Sequence, residues 1–354
     1  MDKVVYILGT GFSRPLGLPI MSDFLDKAKD MFDEDSNKYK YFSNIFSKIR
    51  ELSYIKNFYE SNLENIEEIL SIIEMENLLT DNVQEKVEFN KFIVDVITHF
   101  TPILKMRKGI VINKTQRIFQ SPDFIVVPSD ALFDENEIYS FYSDFVIKLF
   151  NLNLDVVDVT DKIYRIDAVK IKEPPATYSI ITLNYDLVLE NLASHISIFI
   201  DDDIKFNRLG NNVPEDSPLL IKLHGSVDDG NIIPPTWNKT LSKNSMIQKE
   251  WTRGLDVLKD ANHIRFIGYS LPITDAYIRY LFKAGVLLNN HLKTIDVICL
   301  DTNKSCENVF TNFIKLPDTK YHFINSDVID YFARINGSHS IEEGHSAFLQ
   351  KIFG

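Results

Sequence analysis

The opening twenty residues, MDKVVYILGTGFSRPLGLPI, constrain the fold more than any other stretch. Val4, Val5, Tyr6, Ile7 and Leu8 have the length and β-branched character of a buried strand, and Gly9, Gly11 and Gly17 punctuate the residues after it. A buried strand running into a glycine loop and then a helix is a phosphate-cradle arrangement. Gly9 is expected to permit a tight turn at positive φ, Gly11 to let the backbone approach a diphosphate, and the amides of the next helix to face the charge. The same residues also suit a buried first strand followed by an ordinary turn.

A chain of 354 residues accommodates one large domain with a substantial insertion, or two domains. At 45% hydrophobic and 25% charged it has an ordinary globular composition. No apolar run reaches the roughly 18 residues needed to span a bilayer, and no basic segment with an apolar stretch and cleavage site opens the chain. A cytoplasmic protein without a membrane partner is expected. The net charge of −12 opposes nonspecific capture of nucleic acid, so an anionic ligand needs a local site. Cys299 and Cys306 are the only cysteines, and their C-x6-C spacing is not a metal-ligand pattern.

After the loop, Met21 to Phe32 has helical spacing, and residues 37–100 are aromatic-rich and helix-patterned. There Ser61 and Glu64 form a candidate capping box ahead of Ile66, Ile69, Leu70 and Ile73. Gly109 to Ile112 and Phe124 to Val127 suggest short extended pieces, and Glu137 to Phe150 a helix. From Thr177 the α/β pattern returns. Strands are expected over Tyr178 to Leu183, Leu219 to Leu223, His263 to Ile267, Thr294 to Leu300 and Tyr321 to Ile324, with helices between them and Ser326 as a cap. The reading is therefore an α/β fold: a Rossmann-like parallel sheet flanked by helices, built from residues 1–36 and 177–354, with a large, mostly helical insertion over 37–176 in one domain.

Three strands of the C-terminal half end in polar groups: Asn184 with Asp186, His224, and Ser270. In open α/β sheets ligands bind at the carboxyl ends of strands. Asn, Asp and His around a dinucleotide suit chemistry at a ribose better than hydride transfer. Cleaving the nicotinamide–ribose bond develops positive charge on the sugar, which a carboxylate stabilises. Asn184 can donate and accept at once, and His224 can act as general base. Taken singly, each has a plainer role: His224 as a core histidine, Asn184 and Asp186 as helix-cap residues, Gly268 to Pro272 as a strand-to-helix turn, and Asn303 as a cap.

Together these segments resemble the sirtuin family. Gly9-Thr10-Gly11-Phe12-Ser13-Arg14-Pro15-Leu16-Gly17-Leu18-Pro19 is similar to the opening G-x-G-x-S-x-x-x-G-[IL]-P motif. Thr182-Leu183-Asn184-Tyr185-Asp186 resembles T-x-N-x-D, Leu223-His224-Gly225 resembles L-H-G, and Gly268-Tyr269-Ser270-Leu271 resembles G-x-S-L. The resemblance implies that Gly9, Thr10, Gly11, Phe12 and Ser13 hold the NAD diphosphate region, with Gly268 and Ser270 on the adenosine side and Asp301 near the adenosine ribose. It places Asn184 and Asp186 at the nicotinamide ribose and makes His224 the catalytic base. NAD is then a substrate, with no resident cofactor.

Two departures refine this expectation. Protein-deacylating sirtuins carry a four-cysteine zinc module between L-H-G and G-x-S-L, where this chain has no cysteine, so no zinc is expected. The insertion before Asn184 is also longer than in those enzymes. Both features resemble bacterial antiphage sirtuin-like proteins, and the segment Leu63 to Ser71, LENIEEILS, resembles one recurring in bacterial sirtuin-like proteins. That resemblance implies an NAD hydrolase releasing nicotinamide and ADP-ribose, homo-oligomerisation, and an activating partner such as a HerA-type ATPase or another defence protein. An NAD-dependent deacylase or ADP-ribosyl transferase is the second reading, and a non-catalytic NAD or ADP-ribose sensor the third. A dehydrogenase fits least, because Arg14 replaces the third glycine of G-x-G-x-x-G and no second strand ending in an acid follows at the usual distance.

Overall fold

The computed structural model describes residues 1–52, 54, 66–80, 83–105, 111–113, 118–120, 137–160, 163–200, 202–228, 230, 232–233, 245–273 and 275–354. The candidate capping box at Ser61 and Glu64 and the extended piece Phe124 to Val127 lie outside these residues. The chain opens with β1 (Asp2–Leu8), a short helix α1 (Thr10–Ser13), a 3-10 turn (Arg14–Leu16) and helices α2 (Phe24–Glu34), α3 (Phe42–Leu52), α4 (Ile66–Thr80) and α5 (Val83–Phe100). Strands β2 (Val111–Asn113) and β3 (Ile118–Gln120), helix α6 (Glu137–Leu149) and strands β4 (Leu152–Thr160) and β5 (Ile163–Lys170) follow. The remainder alternates: β6 (Ala176–Thr182), α7 (Val188–Ile196), β7 (Leu219–Lys222), α8 (Ser245–Asp260), β8 (His263–Ile267), α9 (Ala276–Leu287), β9 (Thr294–Ile298), α10 (Ser305–Phe313), β10 (Tyr321–Ile324), α11 (Val328–Ile335) and α12 (Ile341–Phe353).

Six strands form a parallel sheet in the order β10-β9-β8-β1-β6-β7. β1 lies inside it because it is apolar on both faces. Val4, Tyr6 and Leu8 pack into one hydrophobic layer, and Val5 and Ile7 into the other. On the first side, aromatic side chains of α6 and α11 meet the opening strand and loop. Phe145 stacks on Phe332 at 4.6 Å, and Tyr6 meets Phe145 edge-on at 5.2 Å. Such pairs add about 0.5–1.5 kcal/mol each beyond area burial. The second layer is covered by α8, α9 and α10 through Trp251, Leu258, Phe282 and Phe310.

After β1 the chain continues on one side of it with β6 and β7, then returns to the other side with β8 and β9. The crevice between β1 and β8 is therefore a topological switch point, where an open α/β sheet binds its ligand.

The segment between β1 and β6 holds helices and also a four-stranded antiparallel sheet, β2-β3-β5-β4, which the sequence pattern does not reveal. Asn151, at φ 53, turns the chain from α6 into β4, and Leu152 and Ile166 anchor the β4–β5 hairpin in the first hydrophobic layer. Helix α11 differs from expectation in its cap: Asp327 Oδ1 accepts the Asp330 amide at 2.7 Å, while Ser326 Oγ donates to the Asp330 carboxylate at 2.9 Å. Asp327 stands one residue nearer the helix, in the extended conformation an N-cap needs. Among the described residues no helix is long and apolar enough to cross a membrane.

Candidate active site

The loops after β1, β6, β7, β8 and β9 converge on one cavity of about 450 Å³. Its lining includes Gly9, Thr10, Gly11, Ser13, Asn184, Asp186, His224, Gly268 and Ser270. Its apolar lining includes Leu18, Phe24, Ile66, Leu70, Ile93 and Ile97 from the opening loop, α2, α4 and α5.

The glycines bring two backbones together. Gly11 N–H donates to the Gly268 carbonyl at 2.9 Å, and Gly9 N–H to the Ile267 carbonyl at 3.1 Å. A Cβ on Gly9 would lie 2.6 Å from Gly268 O, and one on Gly11 2.8 Å from Gly268 Cα. Gly9 has φ −104, so the expected positive φ is absent there, and close approach is what demands glycine. Positive φ occurs instead at Gly268 (φ 62) and at Gly17 (φ 98), which ends the turn Arg14–Leu16.

Behind this loop, Ser13 ties two strand ends together. Its hydroxyl donates to Asp186 Oδ2 at 2.7 Å and accepts from Asn184 Nδ2 at 3.1 Å. Asn184 Nδ2 also donates to the Gly9 carbonyl at 2.9 Å. The amide group of Asn184 is thus pinned by its nitrogen, while its Oδ1 is buried without a hydrogen-bond partner. A buried acceptor left open beside a cavity costs about 1–3 kcal/mol and is where a ligand donor is expected.

Asp186 is buried, and its Oδ1 accepts the Val188 amide at 3.1 Å, so it also caps the start of α7. Burial pushes its carboxyl above the usual range, against the opposing effects of the Lys222 charge and the Ser13 hydrogen bond. Lys222 is only 3% exposed. Its ammonium donates to the Asp186 backbone carbonyl and, at 3.2 Å, to Glu190. Glu190 pairs with Arg208 at 3.1 Å, and Arg208 with Asp228 at 2.8 Å. This chain of charges joins the Asn184–Asp186 loop to the loop beyond His224.

His224 is buried at the end of β7, with Nδ1 3.2 Å from the Leu183 carbonyl. A carbonyl can only accept, so Nδ1 carries the proton and the lone pair of the neutral ring sits on Nε2. The Ile233 amide donates to the His224 carbonyl at 2.8 Å and the Tyr185 hydroxyl to the Ile233 carbonyl at 3.0 Å, bracing the segment.

Two predicted site residues lie elsewhere. Phe12 is buried away from the cavity, its ring 5.2 Å from that of Tyr142 and its carbonyl accepting the Tyr142 hydroxyl. Asp301 is also outside the lining, and its Oδ2 accepts the Glu307 amide at 2.8 Å at the start of α10. Arg14, Tyr185 and Cys299 line the cavity although the motifs alone assign them no role there. Arg14 and Tyr185 are detectable as variable positions inside two of those motifs. Cys299 carries no such signal.

Strand order, crevice and polar cluster define an α/β protein with a Rossmann-like sheet and a polar-lined cavity at its switch point. Within it, residues 178–297 match the family model described as SIR2-like domain. The matched stretch is SIR2-like and carries Asn184, Asp186, His224 and Gly268. Comparison with curated proteins gives no match. Among solved structures the chain is similar to Sir2Tm bound to a propionylated peptide, at 12% identity over 97% of this chain and 93% of that one, with TM-score 0.39. It is also similar to a Sir2–p53 peptide–NAD+ complex, at 11% identity over 97% and 94%, with TM-score 0.39.

Proposed function

We propose that this protein is an NAD glycohydrolase, cleaving the nicotinamide–ribose bond to give nicotinamide and ADP-ribose. The observation that carries the reading is the open Oδ1 of Asn184, buried at the cavity beside Asp186 and His224. That oxygen would accept a ribose hydroxyl or the attacking water. Asp186, when ionised, would stabilise positive charge developing on the sugar, and Nε2 of His224 would take the proton of the water that attacks C1′. Arg14, the only lysine or arginine among the described residues lining the cavity, would face the diphosphate.

Hydrolysis is favoured over peptide deacylation because the sequence has no cysteine between the His224 and Gly268 motifs to build the four-cysteine module. We further propose an NAD-depleting role in antiphage defence, as the resemblance of the long insertion implies, with a homo-oligomer and an activating partner. The test is a time course of NAD, nicotinamide and ADP-ribose without any peptide. Nicotinamide should appear with the wild type, alone or with its activator, and fall at least about 100-fold in Asn184→Ala and His224→Ala. Retained turnover in both variants would overturn the site assignment, and strict dependence on an acyl-peptide would move the reaction to deacylation.

A further inference from the structure

Cys299 and Cys306 are the only cysteines in the chain, and the fold brings them together beside the cavity. Cys299 follows the last residue of β9 and lines the cavity wall, whereas Cys306 sits behind it in the first turn of α10. Both are nearly buried, and their sulfurs are 3.1 Å apart, with the Cys306 thiol donating to Cys299 Sγ. A covalent S–S bond is about 2.05 Å, so closure requires the sulfurs to move together by roughly one ångström. The connecting segment is short and forms part of the wall, since Leu300 also lines the cavity.

We propose that Cys299 and Cys306 form a peroxide-responsive dithiol, with Cys299 as the attacked thiol, reached through the cavity, and Cys306 as its resolving partner. The hydrogen bond from Cys306 lowers the proton affinity of Cys299, and the same bond raises that of Cys306. This asymmetry fits the order of events, because the thiolate is the nucleophile. In the first step Cys299 thiolate attacks a peroxide oxygen and the O–O bond breaks. Sulfur is oxidised to the sulfenic acid, and peroxide is reduced and leaves as hydroxide. In the second step the Cys306 sulfur, losing its proton, attacks the Cys299 sulfur. The S–O bond breaks, and the hydroxide leaves with that proton as water. Overall, two thiols and one hydrogen peroxide give one disulfide and two waters.

Closing so short a loop removes little chain entropy. Its effect falls on the cavity wall, where Cys299 would be drawn away from the cavity toward α10. In a reducing compartment such a disulfide would be transient, as redox-sensing pairs are. The proposal does not depend on the chain's turning over NAD.

The test is hydrogen peroxide treatment of the full chain, followed by alkylation under denaturing conditions and peptide mapping. The wild type should lose both alkylatable thiols to a single Cys299–Cys306 disulfide, and dithiothreitol should restore them. In Cys306→Ser, a sulfenic-acid trap such as dimedone should label Cys299. In Cys299→Ser it should leave Cys306 unlabelled. Persistence of both free thiols in the wild type, or labelling of Cys306 in Cys299→Ser, would overturn the proposal.

Discussion

Gly11 and Gly268 meet backbone to backbone, one amide donating to the other's carbonyl at 2.9 Å with no room for a side chain between them. The contact joins the loop after β1 to the loop after β8 across the switch point, so the floor of the cavity is a seam between two glycines. Substitution there meets backbone atoms, which cannot swing away. In Gly268→Ala the new Cβ would lie 2.3 Å from Phe12 N, at a φ of +62 that alanine adopts only at a cost. We expect a loss above about 3 kcal/mol in urea unfolding, or failure to fold. Gly17→Ala also needs positive φ but meets nothing within 4 Å, and should cost only about 1–2 kcal/mol. Equal losses in the two variants would show that strain, and not the seam, sets the requirement at Gly268.

Lys222 separates positioning from chemistry. It donates to the backbone carbonyl of Asp186 and stands among Glu190, Arg208 and Asp228. Lys222→Met should leave Glu190 paired with Arg208, so the fold should survive at a cost of about 1–3 kcal/mol. The Asn184–Asp186 loop would lose its tether. We expect kcat for nicotinamide release to fall roughly tenfold to a hundredfold with KM changed far less. Lys222→Arg should recover part of it. A KM effect without a kcat effect would count against a positioning role.

A third expectation concerns pH. Asp296 is buried among His322 at 2.7 Å, His345 at 3.2 Å and Arg265 at 3.7 Å, and Arg265 is gripped by Glu342 at 2.6 Å. Burial, with the nearby charge of Arg265, holds His345 below the ordinary histidine range, so the folded state keeps it neutral. Its contribution is fully present above an unfolded pKa of about 6.5 and is lost as pH falls toward the folded value. His322 has the opposite sign. Its hydrogen bond to Asp296 raises its pKa, and the stability it gives is present below about 6.5 and lost as pH rises through the folded value. Between about pH 6.5 and 5, urea midpoints of His345→Gln should therefore fall less than those of the wild type, and as pH rises above about 6.5 those of His322→Gln should fall less than those of the wild type. Parallel curves for all three would contradict this assignment.

Much of the sheet was legible because parallel strands buried on both faces read as short, mostly apolar runs, as in Val4 to Leu8 and, around Lys222 and Arg265, in Leu219 to Leu223 and His263 to Ile267. Asn184 and His224 were legible for a related reason: each directly follows such a run, and Asp186 stands two residues beyond Asn184. The β4–β5 hairpin was not, because Leu152, Leu154 and Val156 alternate with Asn153 and Asp155 over too few positions to stand out beside long helical patterns. Phe12 and Asp301 show another limit. Position within or near a motif does not say which way a side chain points, and Phe12 turns into the aromatic layer beneath the loop. Lys222 is easily overlooked because a lysine at the end of a strand reads as solvent-facing, and only the fold reveals Glu190 and the Asp186 carbonyl waiting for it.

The position of β1 has a consequence for how the protein is made. Asp2 pairs with Ala176 on one side and Val4 with His263 on the other, so β1 finds its second neighbour only after β8 has been synthesised. Such distant pairings make folding slow and late. The glycine seam cannot close until Gly268 is available, and neither Asn184 nor His224 has a cavity to face before then. If the protein consumes NAD, the unfinished polypeptide is harmless to the cell producing it, and the hazard begins only with the completed fold.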